Sequence, residues 1–96
     1  MPQRTAEEIV VELCLRDTER QGIDVRSDAV ALGRIREAAA KAVAELRSTQ
    51  RTDVNLPFIA ANGSGPIHLM LEVRRADLAG VAGLSGPVVD PRVKLG

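Results

Sequence analysis

Apolar residues follow a helical spacing through the first half of the chain and a two-residue spacing through the second, with the change near Thr52. Ala6, Ile9, Val10, Leu13 and Cys14 form one stripe, while Glu7, Glu8, Glu12 and Arg16 take other faces. Thr5 and Glu8 stand at capping-box spacing ahead of that stripe. The pattern predicts a first helix from about 6 to 20, ended by Gly22. Ser27 and Asp28 then offer a cap and a first-turn acid for a second helix. Its stripe is Leu32, Ile35, Ala39, Ala42 and Leu46, and the stretch 37 to 46 is nearly all Ala, Glu, Lys, Val and Leu, so propensity and pattern agree. Alanines on the stripe predict close approach of a neighbouring element. Gly33 weakens the helix by roughly 1 kcal/mol relative to Ala.

Beyond Thr52, Val54, Leu56, Phe58 and Ala60 fall on one face of an extended strand, with Asp53, Asn55 and Pro57 on the other. Pro57 has no N–H to give a ladder, so the strand must have an edge or a bulge there. Asn62, Gly63, Ser64 and Gly65 predict a turn. The next strand alternates cleanly, with Ile67, Leu69, Leu71 and Val73 inward and His68, Met70, Glu72 and Arg74 outward. Arg75 to Ala79 opens a third, short helix, after which Gly80, Gly83, Gly86, Pro87 and Pro91 break any pattern. The expectation is an α+β fold: two helices, a β-hairpin whose apolar face they cover, and a short C-terminal helix. Residues 1–80 make the lobe and 81–96 a flexible tail.

Composition narrows the function classes. Ninety-six residues make one small domain or a piece of a larger one. Thirteen basic and 13 acidic residues cancel, which leaves no basic surplus for nucleic acid or an anionic membrane. Phe58 is the sole aromatic residue, so the core rests on Ala, Val, Leu and Ile and is thin. The single cysteine, Cys14, permits no internal disulfide. No apolar run approaches the roughly 20 residues of a membrane span, and the polar start does not read as a signal peptide. A cytoplasmic protein is expected.

Candidate chemistry is sparse. Asn62 to Pro66 is glycine-rich but lacks the Lys-Ser/Thr of a phosphate loop and precedes a strand rather than a helix, so it reads as a hairpin turn. His68 has only Glu72 at related spacing, too few groups for a metal site, and reads as an outward strand residue. Cys14 sits on the buried stripe, where packing outweighs nucleophilic use. Glu37 with Lys41, and Arg16 with Glu19, read as solvated helix pairs. No catalytic set and no metal set assembles.

Several segments resemble the DnaK (heat shock protein 70) chaperone family. They are Gln21-Gly-Ile-Asp-Val-Arg-Ser-Asp28, Arg34-Ile-Arg-Glu-Ala-Ala39 and Thr52-Asp-Val-Asn-Leu-Pro-Phe-Ile-Ala-Ala61, continued by Gly65-Pro-Ile-His-Leu69 and Arg74-Arg-Ala-Asp-Leu78. The resemblance runs from about 21 to 79 and implies the upper lobe of the second half of the ATPase domain, subdomain IIB of an actin-like fold. The family binds ATP or ADP with magnesium in a cleft and couples hydrolysis to clamping of peptides. The phosphate-binding glycine loops, magnesium carboxylates, catalytic lysine and peptide-binding domain of that machinery have no counterpart in this sequence. The Gly-Gly motif that the family places ahead of the first helix is replaced by Met1 to Glu8. The chain alone is therefore not expected to hydrolyse ATP.

The resemblance also implies site residues. The family's second helix carries a glutamate, a lysine three residues on and a serine four beyond that, which hold adenosine; here the positions are Ala40, Val43 and Arg47. All three differ, so no cofactor is expected for this chain alone. The family's exchange factor, GrpE in bacteria, grips the same lobe, and the matching apolar pair is Val30 and Leu32, of which Leu32 also belongs to the core stripe. The expected role is that of a truncated chaperone fragment. The alternatives are a binding module or decoy for an exchange factor or chaperone partner, a piece of a split chaperone ATPase, and a degraded gene product without function. A bare face where the rest of the domain would sit favours self-association.

Overall fold

A computed structural model describes residues 5–78. Helix α1 spans Ala6–Arg20 and begins where Thr5 Oγ1 accepts from the Glu8 N–H at 3.1 Å, the threonine half of the capping box. Gly22 takes a left-handed φ of 94° just past its C-terminus, as the sequence predicts. Helix α2 spans Ala29–Leu46, and its cap differs slightly from expectation. Asp28 is itself the cap, Oδ1 accepting from the N–H groups of Val30 and Ala31, and Ser27 lies outside. A carboxylate there meets both the orphan amides and the positive end of the helix dipole, which a hydroxyl cannot do equally.

Strands β1 (Arg51–Asn62) and β2 (Gly65–Arg74) form an antiparallel hairpin closed by Gly63 and Ser64. Asn62 Oδ1 accepts the Ser64 N–H at 2.8 Å, the side-chain-closed turn that this residue favours. The expected third helix is a single 3₁₀ turn, Arg75–Leu78. Ala79 and the tail assigned to 81–96 lie outside the described residues.

Helix α2 packs on β1 and on α1, and α1 also meets β2, so the helices cover one face of the hairpin. Ala39 and Ala42 are buried in that layer beside Ile35 and Leu46, in line with the close approach that small residues allow. Ile67, Leu69 and Val73 of β2 face them. Phe58 is the exception to the expected face: it is 70% exposed, and Ile59 is buried in its stead. The cause is an irregularity in the ladder. Leu56 pairs with Leu69 and Ala60 with Ile67, so Pro57, Phe58 and Ile59 all stand opposite His68. Pro57 cannot donate to the ladder, and the chain loops out around it. Two surplus residues restore the original parity, which is why Val54 and Ala60 keep the side that alternation assigns them.

The C-terminus of α2 is closed by an arginine. Arg75, only 8% exposed, donates Nη1 to the Leu46 carbonyl at 2.6 Å, and its Nε has no partner among the described residues. The buried cation lies at the negative end of the helix dipole, which compensates a charge that no carboxylate among the described residues neutralises.

Candidate functional site

Ala40, Val43 and Arg47 lie at helical offsets of three and seven, yet α2 does not present them as one polar surface. Ala40 is exposed and has no hydrogen-bonding group; Arg47 is exposed at the helix end. Val43 is 4% exposed and belongs to the core. The open groove between α2 and β1 is lined by Arg34, Glu37, Lys41, Glu45 and Asp53, and none of the three borders it. Within that groove the Thr52 hydroxyl donates to the Glu45 carboxylate. An adenosine needs acceptors and donors set around its hydroxyls and ring. Ala40 and Val43 carry no hydrogen-bonding side-chain group, and the Arg47 guanidinium offers donors but no acceptor. Among the described residues no group of three or more His, Cys, Asp or Glu side chains converges as a metal site.

The second candidate pair is divided by the start of α2. Val30 is 76% exposed, whereas Leu32 is half-buried against the core. The first turn thus offers one free apolar side chain, with Asp28 beneath it bound to the backbone.

Several side-chain-to-backbone hydrogen bonds meet at the β1 irregularity. Arg34 reaches from α2 with both arms of its guanidinium: Nη2 donates to the Pro57 carbonyl at 2.9 Å and Nη1 to the Phe58 carbonyl at 3.1 Å. The Phe58 N–H donates to His68 Nδ1 at 2.9 Å. Backbone groups lost from the ladder are thereby repaired by side chains of α2 and β2. The Phe58 and His68 rings meet edge to face, with centroids 4.7 Å apart. Gln21 ties the end of α1 to the same region, its Nε2 donating to the His68 carbonyl and its own carbonyl accepting from Asn62 Nδ2, each at 3.0 Å.

Cys14 is fully buried, as its place on the stripe predicts. Burial, with a smaller contribution from the Asp17 carboxylate, pushes its thiol up to about 12, and a thiol held protonated is a poor nucleophile. Glu37–Lys41 and Arg16–Glu19 do not pair. The ion pairs among the described residues are Arg20–Asp17, Arg74–Glu72 and a cluster in which Arg26 meets Glu12, Glu19 and Asp24.

A family model described as Hsp70 protein matches residues 4–85, which takes in every element described above. The chain belongs to the Hsp70 family. It is also 53% identical over 60 residues to the chaperone protein DnaK of Buchnera aphidicola subsp. Schizaphis graminum (strain Sg). That match covers 62% of this chain and 9% of the relative, so the chain spans a small part of the length of a whole Hsp70 chaperone. The helix-helix-hairpin order expected from the residue pattern is the order observed.

Sequence reasoning missed the roles of Arg34 and His68 in this Hsp70-family lobe. Pro57 signalled that the ladder would fail, but which distant side chains repair it depends on how α2 crosses β1. Arg75 as a helix cap was missed for a similar reason, because it lies 29 residues from the carbonyl that it binds.

Proposed function

We propose that this chain is the helix-and-hairpin lobe of a DnaK-type nucleotide-binding domain, serving cytoplasmic chaperone machinery as a structural and docking element and not holding nucleotide itself. The observation that supports it is the triplet Ala40, Val43 and Arg47: one side chain without polar atoms, one in the core and one long cation at the surface. Each hydrogen bond missing there forgoes about 0.5–1.5 kcal/mol, and a transferring phosphoryl group needs cations that this lobe does not gather. ATP-driven folding is a property of the whole family, and the lobe belongs to that machinery without performing the chemistry. Calorimetric titration of the chain with ADP tests this. No saturable heat below millimolar nucleotide is expected, and binding at micromolar strength overturns the reading.

A second reading is favoured by the 76% exposure of Val30: an exchange factor of the GrpE type docks on the first turn of α2. Val30→Asp keeps the helix, because an acid suits its N-terminal turn. Loss of exchange-factor binding by tenfold or more in this variant supports the reading, and unchanged binding removes it.

A further inference from the structure

The repaired irregularity in β1 has one component that depends on a proton. The Phe58 N–H has left the ladder and finds its acceptor in His68 Nδ1 at 2.9 Å. Phe58 holds a left-handed φ of 54°, a conformation an L residue keeps only where its surroundings enforce it. A neutral imidazole has one acceptor nitrogen and one donor nitrogen, whereas an imidazolium has two donors and no acceptor. The bond to Phe58 therefore exists only with the neutral ring.

We propose that His68 is a proton-operated latch on residues 57–59: the neutral ring pins the Phe58 amide and the loop around it, and the protonated ring releases both. Release leaves the Phe58 N–H to solvent and lets the only aromatic side chain of the chain swing free of the hairpin.

The charged surroundings do not offset the proton. From α2, Arg34 places a positive guanidinium on the Pro57 and Phe58 carbonyls. From α1, the negative Asp17 acts only through Gln21, whose amide bridges the Asp17 carboxylate and the His68 carbonyl. On β2 itself, Glu72 is engaged by Arg74, and on β1 Asp53 stands opposite Glu72, away from the ring. Among the described residues His68 forms no ion pair. Nothing there replaces the lost acceptor.

Nuclear magnetic resonance of the ¹⁵N-labelled chain between pH 8 and pH 5, a range in which histidine acquires its proton, reads the latch directly. The Phe58 amide is expected to shift with the same midpoint as the His68 ring. Its hydrogen exchange, corrected for the intrinsic effect of pH, is expected to quicken about 2- to 12-fold at the acid end, the range that loss of one hydrogen bond allows, while the Leu69 amide holds still. His68→Asn places a non-titrating oxygen near the position of Nδ1 and should keep Phe58 protected at both ends of the range. A Phe58 amide that ignores the His68 titration overturns the proposal, as does one that moves equally in His68→Asn.

Discussion

The two strands of the hairpin obey the same rule with different success. β2 alternates without interruption: Ile67, Leu69 and Val73 are buried while His68, Met70, Glu72 and Arg74 lie on the other, more open side. β1 begins in the same way, then carries Phe58 out and Ile59 in before the alternation resumes at Ala60. Both strands have apolar residues at every second place, so hydrophobicity does not separate them. The difference is backbone hydrogen bonding. Every residue of β2 between Ile67 and Arg74 has an N–H, whereas Pro57 interrupts β1 with none, and the larger Phe58 is left to the surface where Arg34 and His68 complete its backbone. Side-chain pattern sets the face of a strand only while the ladder can be made.

Point variants in the two strands break this comparison most strongly where each strand enters the core. Ile59→Ala and Leu69→Ala should each cost about 2–5 kcal/mol, as removal of a buried aliphatic side chain does, whereas Phe58→Ala should cost less than about 1 kcal/mol, as exposed positions do. Urea unfolding measures all three. A Phe58→Ala cost equal to that of Ile59→Ala would contradict the swap in β1. Arg34→Ala should cost about 1 kcal/mol and loosen the exchange protection of residues 57–59 while leaving β2 intact. Arg34→Lys should not restore it, because an ammonium cannot fork to two carbonyls.

A separate effect lies away from the irregularity, in α1, and emerges only in alkali. The Cys14 thiol goes from an ordinary 9.0 to about 12 on folding, chiefly through burial and secondarily through Asp17. A raised value means that the folded chain holds this proton more tightly than the unfolded chain. Its contribution to stability is fully present below about pH 9 and is lost progressively as the pH rises toward about 12. Urea midpoints measured from pH 8 to pH 11 should fall more steeply for the native chain than for Cys14→Ala.

The two helices, the turn at Asn62 and the clean alternation of β2 were legible in the sequence because each rests on local spacing. Thr5, Gly22 and Asn62 act where their neighbours predict. What was not legible depended on contacts distant in the chain. Arg34 lies 24 residues from Phe58, and no local pattern marks a guanidinium that will serve two carbonyls of another element. Burial of Val43 was also hidden, since the stripe drawn through Ala39, Ala42 and Leu46 passes beside it and only the packed position of α2 brings it inside. The Val30–Leu32 pair reads as one apolar patch in the sequence, and the helix separates it into an exposed residue and a packed one.

The proposal that this lobe has given up the nucleoside is tested most directly in a bacterial DnaK whose matching segment is replaced by residues 21–78 of this chain, with ADP affinity measured by calorimetry. The chimera is expected to bind ADP at least about tenfold more weakly than its parent, the loss that two or three missing hydrogen bonds produce. Ala40→Glu, Val43→Lys and Arg47→Ser made together in the chimera should recover most of that loss. A folded chimera that binds ADP as tightly as the parent, without those changes, would contradict the proposal.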